Sequence, residues 1–200
     1  LEMLAIEDAR KVLSEEKSKK IRYPLGAKTG QCCGGAVELF FEPFSTGPEL
    51  YLFGAGHVAQ ALARTLIGTP FRVHVIDPRP EWIGHSLLPA EVKRHDCRWD
   101  EFVSDAVWSS ANTYVAVMTH EHAMDQDIIA DVVKRSARYI GLIGSRSKWE
   151  RFKQRYDVRG TESALFEKVH CPIGVPVGGK APQEIAISVA AALLKEHYGQ

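Results

Sequence analysis

Residues 50–60 read Leu50-Tyr51-Leu52-Phe53-Gly54-Ala55-Gly56-His57-Val58-Ala59-Gln60, and this stretch decides the fold. Four apolar residues form a short strand that breaks on glycine. The chain then continues as GAGHVAQALARTLIG, with Val58, Leu62 and Leu66 at helical spacing. Gly54, Gly56 and Ala59 spell G-x-G-x-x-A between strand and helix. Glycine permits the tight turn and a close backbone approach to a phosphate, while small Ala59 lets the helix pack near the strand. Free N–H groups at the helix start and its partial positive charge favour an anion there. Asp77 closes the next strand, FRVHVID, 21 residues after Gly56, where a ribose-binding carboxylate stands in dinucleotide folds. A turn kept only for packing, with Asp77 a solvated strand end, is the plainer reading of the same residues.

The rhythm repeats outward from this unit. A Pro-rich DPRPEW follows, then a weak strand near Glu91–Arg94, a short helix around Trp99–Ala106 and the strand TYVAVM. A helix near Met124–Ser136, the strand RYIGLIG, a helix holding Trp149, Phe152 and Tyr156 on one face, and a Pro182-led helix to about Lys195 complete the chain. Strands alternating with helices predict an α/β domain over 49–200, a Rossmann-like parallel sheet flanked by helices. Residues 1–48 read as a partial N-terminal α+β segment. It comprises a helix to about Lys19, the loop TGQCCGG, and the alternating strand AVELFFE before the linker EPFSTGPE.

Composition narrows the function classes. Twenty-five basic residues balance 25 acidic ones at a pI near 7.2, which argues against a dedicated nucleic-acid binder. No apolar run reaches the ~20 residues that span a bilayer. Four cysteines, Cys32, Cys33, Cys97 and Cys171, are too few and too irregular for a disulfide framework, so a reducing cytoplasm is the expected setting.

Two further strand ends carry chemistry. MTHEHAMD places Thr119, His120, His122 and Asp125 in one loop. That loop can contact a ligand, hold a divalent metal through His-x-His and a carboxylate, or cap the following helix. GLIGSRSK puts Gly144 and Ser145 at a helix start beside Arg146 and Lys148, a second anion site in principle. Arg146, Lys148, Arg151, Lys153 and Arg155 also read as one basic helix face. Gly54, Asp77, Thr119 and Gly144 all fall at strand ends, so they are expected to face one crevice. Adjacent Cys32 and Cys33 make a poor metal pair. Either can be a small buried hydrophobe, or an exposed thiolate that takes a soft metal or carries sulfur.

In this order, TGQCCGG, FGAGHVAQAL, VIDPRPEW, VMTHEHAMD, YIGLIGSRSK and CPIGVPVGG resemble the XdhC/CoxI family, accessory proteins of xanthine dehydrogenase and related molybdenum hydroxylases. The resemblance implies a chaperone without turnover of its own. It would bind molybdenum cofactor (molybdopterin), present it to a cysteine desulfurase for sulfuration and insert it into the xanthine dehydrogenase apoenzyme. It singles out Cys33, which matches the family's C-G-G, as a cofactor and molybdenum contact; Cys32 adds a second thiol. Lys180 and Ala181 stand where the family more often has an acid and a Thr cap. An NAD(H)-binding oxidoreductase with His120 or His122 as general acid, and an NAD(H)-sensing regulator, are the rival readings. A homodimer is compatible with all three; no nucleic acid or membrane partner is expected.

Overall fold

The computed structural model describes residues 1–15, 17–25, 35–43, 47–158 and 163–199. The chain divides into two compact units, Leu1–Thr46 and Gly47–Gln200.

In the first unit, α1 (Glu2–Glu15) precedes an antiparallel pair, β1 (Lys19–Pro24) and β2 (Ala36–Phe41). The helix ends four residues before Lys19, so the expectation that the lysine run closes it is corrected. Lys19 and Lys20 open a strand instead. KKIRYP alternates, Tyr23 is buried opposite Val37, and Lys20 pairs with Glu38 across the ladder at 2.5 Å. Period-two patterning thus overrides the preference of lysines for a helix C-terminus. Val37, Leu39 and Phe41 of β2 are half-buried and the alternating glutamate is exposed, as its sequence predicts.

The second unit is built on six parallel strands in the order β5-β4-β3-β6-β7-β8. These are β3 (Glu49–Phe53), β4 (Arg72–Ile76), β5 (Lys93–His95), β6 (Thr113–Val117), β7 (Tyr139–Leu142) and β8 (Val169–His170). The helices are α2 (His57–Thr65), α3 (Pro80–Ile83), α4 (Trp99–Asp105), α5 (His122–Val132), α6 (Arg146–Val158) and α7 (Pro182–Tyr198). The short β8, and the 3-10 turn Ser163–Phe166 before it, have no counterpart among the expected elements.

Both sheet faces are covered, which explains why β3 after Glu49 is an unbroken apolar run, Leu50 to Phe53. Leu50 and Leu52 point to a cluster containing Leu62 of α2, Leu66 just beyond it, and Val189 and Leu193 of α7. Tyr51 and Phe53 point to the other, among Ile128, Ile129 and Val132 of α5 and Phe152 and Tyr156 of α6. Each fully buried leucine of β3 contributes about 2 kcal/mol of transfer free energy. The chain leaves β3 towards β4 on one side and returns to β6 on the other. The sheet therefore reverses its winding between β3 and β6, and their C-terminal ends open the crevice in which ligands of such sheets sit.

Candidate functional site

The first wall of the crevice is the glycine turn, and its two glycines differ in what they do. Gly54 adopts φ +102°, and a Cβ on it would lie 2.5 Å from the carbonyl oxygen of Met118. Its role is to let the ends of β3 and β6 meet. Gly56 has an ordinary φ of −68°, caps α2 with no side-chain hydrogen bond, and has open space where a Cβ would project. The first N–H groups of α2 and the open space over Gly56 are where an anion could be held. Ala59, one turn on, is fully buried and lets α2 pack against the sheet, as the motif requires.

Asp77 lies at the end of β4 and is 2% exposed. Its oxygens are already engaged. One accepts the Ala55 N–H at 2.8 Å and Arg79 Nη2 at 2.7 Å; the other accepts Arg79 Nε at 2.8 Å and the Arg79 backbone N–H at 3.1 Å. Burial would raise this carboxyl, but the Arg79 and Ala55 donors outweigh it and hold the group below the ordinary carboxylate range. Asp77 is thus neither a solvated strand end nor an open acceptor: it ties the glycine turn to β4. Arg79 lies over the Trp82 ring at 5.1 Å, and His57 meets the same ring edge-on at 5.3 Å. Sequence reasoning missed this cation–aromatic shelf beside the turn. The spacing Asp77-Pro78-Arg79, an Asx-type turn, is the signal that could have revealed it.

The second wall is the loop after β6. Asp125 is 1% exposed and caps nothing, contrary to one of the sequence alternatives. It accepts the Thr119 N–H at 3.0 Å and the Thr119 hydroxyl at 2.7 Å, and binds Lys148 Nζ at 2.6 Å. Lys148, expected on the basic face of α6, turns inward and also donates to the Ile143 carbonyl at 3.0 Å. Helical periodicity misplaced it because its partner lies on another element. This clamp fixes the β6 loop against the start of α6 and leaves His120 and His122 exposed. Among the described residues no three His, Cys, Asp or Glu side chains converge as a metal set.

Ser145 accepts the Lys148 N–H at 3.2 Å, as an N-cap should, so the start of α6 is already occupied by its own side chain. Arg146 and Arg151 remain exposed. A recess of about 320 Å³ runs between Thr119, His120, His122, Gly144, Ser145 and Arg151. Towards β3 it shares Thr119 and His120 with a narrow cleft of about 10 Å³ beside Gly54, Asp77 and Trp99. The four strand ends expected to converge therefore do so along one groove. Cys32 and Cys33 lie outside the described residues. Cys97 and Cys171 are half-buried free thiols, and burial pushes Cys171 up to about 11.

A curated protein of Bacillus subtilis, described as a probable subunit of xanthine dehydrogenase, is 30% identical over 159 residues, covering 80% of this chain and 46% of that protein. An uncharacterized Escherichia coli protein, YqeB, is 27% identical over 199 residues, covering 98% of this chain and 36% of its own length. The chain thus spans less than half the length of either curated relative. The crystal structure of a xanthine dehydrogenase from Bacillus halodurans superposes with a TM-score of 0.68, covering 98% of this chain and 65% of the other at 19% identity, a likeness of fold. No described helix is long and apolar enough to cross a membrane. The family model for the XdhC Rossmann domain matches residues 50–193, and the chain belongs to that family.

Proposed function

We propose that this chain is the cofactor-binding part of an accessory protein that holds molybdenum cofactor for xanthine dehydrogenase or a related molybdenum hydroxylase. The observation that carries the reading is the groove itself. An open anion cradle at Gly56 and a wall bearing His120, His122 and Arg151 flank the switch point of a domain of the XdhC family. A phosphate-bearing cofactor fits these residues, because a Cβ at Gly56 would meet no atom within 4 Å and α2 has no side-chain cap to displace.

In this reading the amides at the start of α2 bind the phosphate. His120, His122 and Arg151 donate hydrogen bonds to the remaining polar atoms, and the Asp125–Lys148 clamp keeps that wall in position. The C-G-G thiol Cys33, with Cys32 beside it, offers the soft ligand. When bound, the cofactor supplies the molybdenum centre on which the client hydroxylase depends. The chain itself binds, shields and hands over; a cysteine desulfurase supplies the sulfur, and the xanthine dehydrogenase apoenzyme receives the finished group. The handover is cytoplasmic, where both partners work.

A second reading, an NAD(H)-binding regulator or oxidoreductase, is favoured by the Arg79–Trp82 shelf beside the glycine turn. Against it, Asp77 offers a ribose no open acceptor.

Reconstitution tests the proposal. The chain, and a longer version including any neighbouring sequence, should raise the activity of a xanthine dehydrogenase apoenzyme supplied with molybdenum cofactor. Cys33→Ser should reduce that effect more than Cys97→Ser or Cys171→Ser. Failure to activate, together with NADH oxidation in the presence of a small substrate, would establish the oxidoreductase instead.

A further inference from the structure

Beyond the groove, a larger cavity of about 690 Å³ lies between the turn after β7 and the loop Pro172–Lys180, with α7 at its back. It is of the size that encloses small organic ligands. The cavity and the recess at His120 share Ile143, Gly144 and Ser145, so the two adjoin.

The wall is prebuilt. Ile173 N–H donates to Leu142, Val175 N–H donates to Ser188 at 3.2 Å, and the Ser188 hydroxyl returns a hydrogen bond to the Val175 carbonyl. Its surface combines apolar side chains such as Ile143, Val175 and Ile185 with glycine backbone at Gly174, Gly178 and Gly179. Apolar faces beside bare peptide edges suit a flat ring whose rim carries hydrogen-bonding atoms. No Asp or Glu lines the cavity among the described residues, while Arg146 and Lys180 do. The nearby Glu184 carboxylate accepts the Ala181 N–H at 2.9 Å, which closes the start of α7 to an incoming anion. Negative charge on a ligand would therefore be met by the two cationic side chains. Two strand spacings, from β3 across β6 to β7, put this cavity about 10 Å along the sheet from the glycine turn.

We propose that this cavity is the ring site: it takes a planar heteroaromatic group whose polar rim accepts hydrogen bonds from Arg146 and Lys180. The inference rests on the cofactor reading and adds to it. The ligand of this chain is elongated, with its phosphate at Gly56 and its flat ring in the cavity.

The experiment uses 6-carboxypterin, a fluorescent flat heteroaromatic acid, titrated against the whole chain. Val177→Trp fills the cavity from an exposed rim position, and Arg146→Glu and Lys180→Glu reverse its charge. Each should weaken binding about tenfold or more, equivalent to about 1.4 kcal/mol. Val107→Trp, at a residue 78% exposed elsewhere on the surface, should leave it unchanged. Should Val177→Trp fail to melt cooperatively, the two charge reversals at exposed side chains carry the test. Parent-like affinity in Val177→Trp and both reversals would overturn the assignment. Molybdenum content, measured on the same preparations, separates the two claims. A parent chain that binds the probe but carries no molybdenum supports the ring site and counts against the cofactor reading. Variants that keep molybdenum and probe alike leave that reading standing and eliminate the ring site.

Discussion

Replacing Lys148 by methionine removes one partner of the ion pair on which the β6 wall is built. The methylene stem and its volume are largely kept, so the lost interaction is the ammonium bridging the Asp125 carboxylate at 2.6 Å and the Ile143 carbonyl at 3.0 Å. The side chains of Lys148 and Asp125 are 9% and 1% exposed, so water replaces little of what is removed. Leaving a buried carboxylate without its counter-charge costs about 3–5 kcal/mol. The two hydrogen bonds from Thr119 persist and keep the expected loss near the lower end, about 3 kcal/mol. In a unit of this size that lowers Tm by about 6–12 °C. Thermal denaturation of the parent, Lys148→Met, Asp125→Asn and the double variant measures it. The double variant should be less destabilised than the two single losses added together, because it leaves no unpaired charge. A Tm within about 2 °C of the parent for Lys148→Met would refute the clamp, since a buried uncompensated carboxylate cannot be that inexpensive.

Other expectations follow from the same geometry. Gly54→Ala should destabilise the fold by about 2 kcal/mol or more through its positive φ and its collision with β6, whereas Gly56→Ala should stay within about 0.5 kcal/mol of the parent. Phosphate-ligand affinity should fall in Gly56→Val at unchanged Tm; parallel behaviour of both sites in melting and titration would contradict their separation. His74 and His95 stack at 5.1 Å and share a 3.0 Å hydrogen bond, with Glu49, Arg72 and Lys93 around them. Burial lowers both rings below the ordinary 6.5, outweighing the Glu49 hydrogen bond at His74. Their neutral forms then stabilise the fold above that value. Stability should be lost as pH falls through the lowered values, and His95→Phe should flatten the acid limb of a Tm-versus-pH curve. Finally, burial raises both Cys97 and Cys171, the latter to about 11. At about pH 8 both should react slowly with iodoacetamide, so rapid labelling of either, read by mass spectrometry, would count against these environments.

Much of the frame was legible in sequence because it depends on local pattern. The break from Phe53 to Gly54, the apolar run of TYVAVM and the Ser145 cap are decided within a few residues, and the structure keeps each of them. The parallel sheet followed from their alternation. What escaped depends on tertiary partners. Lys148 has the spacing of a surface lysine and is buried only because Asp125 waits on the neighbouring helix. Asp77 stands at the ribose position, yet Arg79 and the Ala55 amide occupy it. β8 is two residues long and, among the described residues, pairs with β7 alone, too short to leave a pattern. The loop Pro172–Lys180 reads as a Pro- and Gly-rich connection; it becomes a cavity wall because Ile173 packs where Gly141 has no side chain. The strand-end rule gathers Gly54, Asp77, Thr119 and Gly144 at neighbouring strand ends, around a cleft and a recess that share Thr119, but it could not say which of them face a ligand. The roles of Cys32 and Cys33 rest on the family resemblance, as both lie outside the described residues.

Cofactor binding is decided by what the chain carries when purified from a molybdenum-replete host. Molybdenum would be quantified by mass spectrometry and the pterin by fluorescence after oxidation, with NAD(H) assayed enzymatically on the same sample. Molybdenum and pterin should appear together in near-equal amounts, both reduced in His120→Ala, His122→Ala and Cys33→Ser variants that melt like the parent. A parent chain that carries NAD(H) and neither molybdenum nor pterin would contradict cofactor binding.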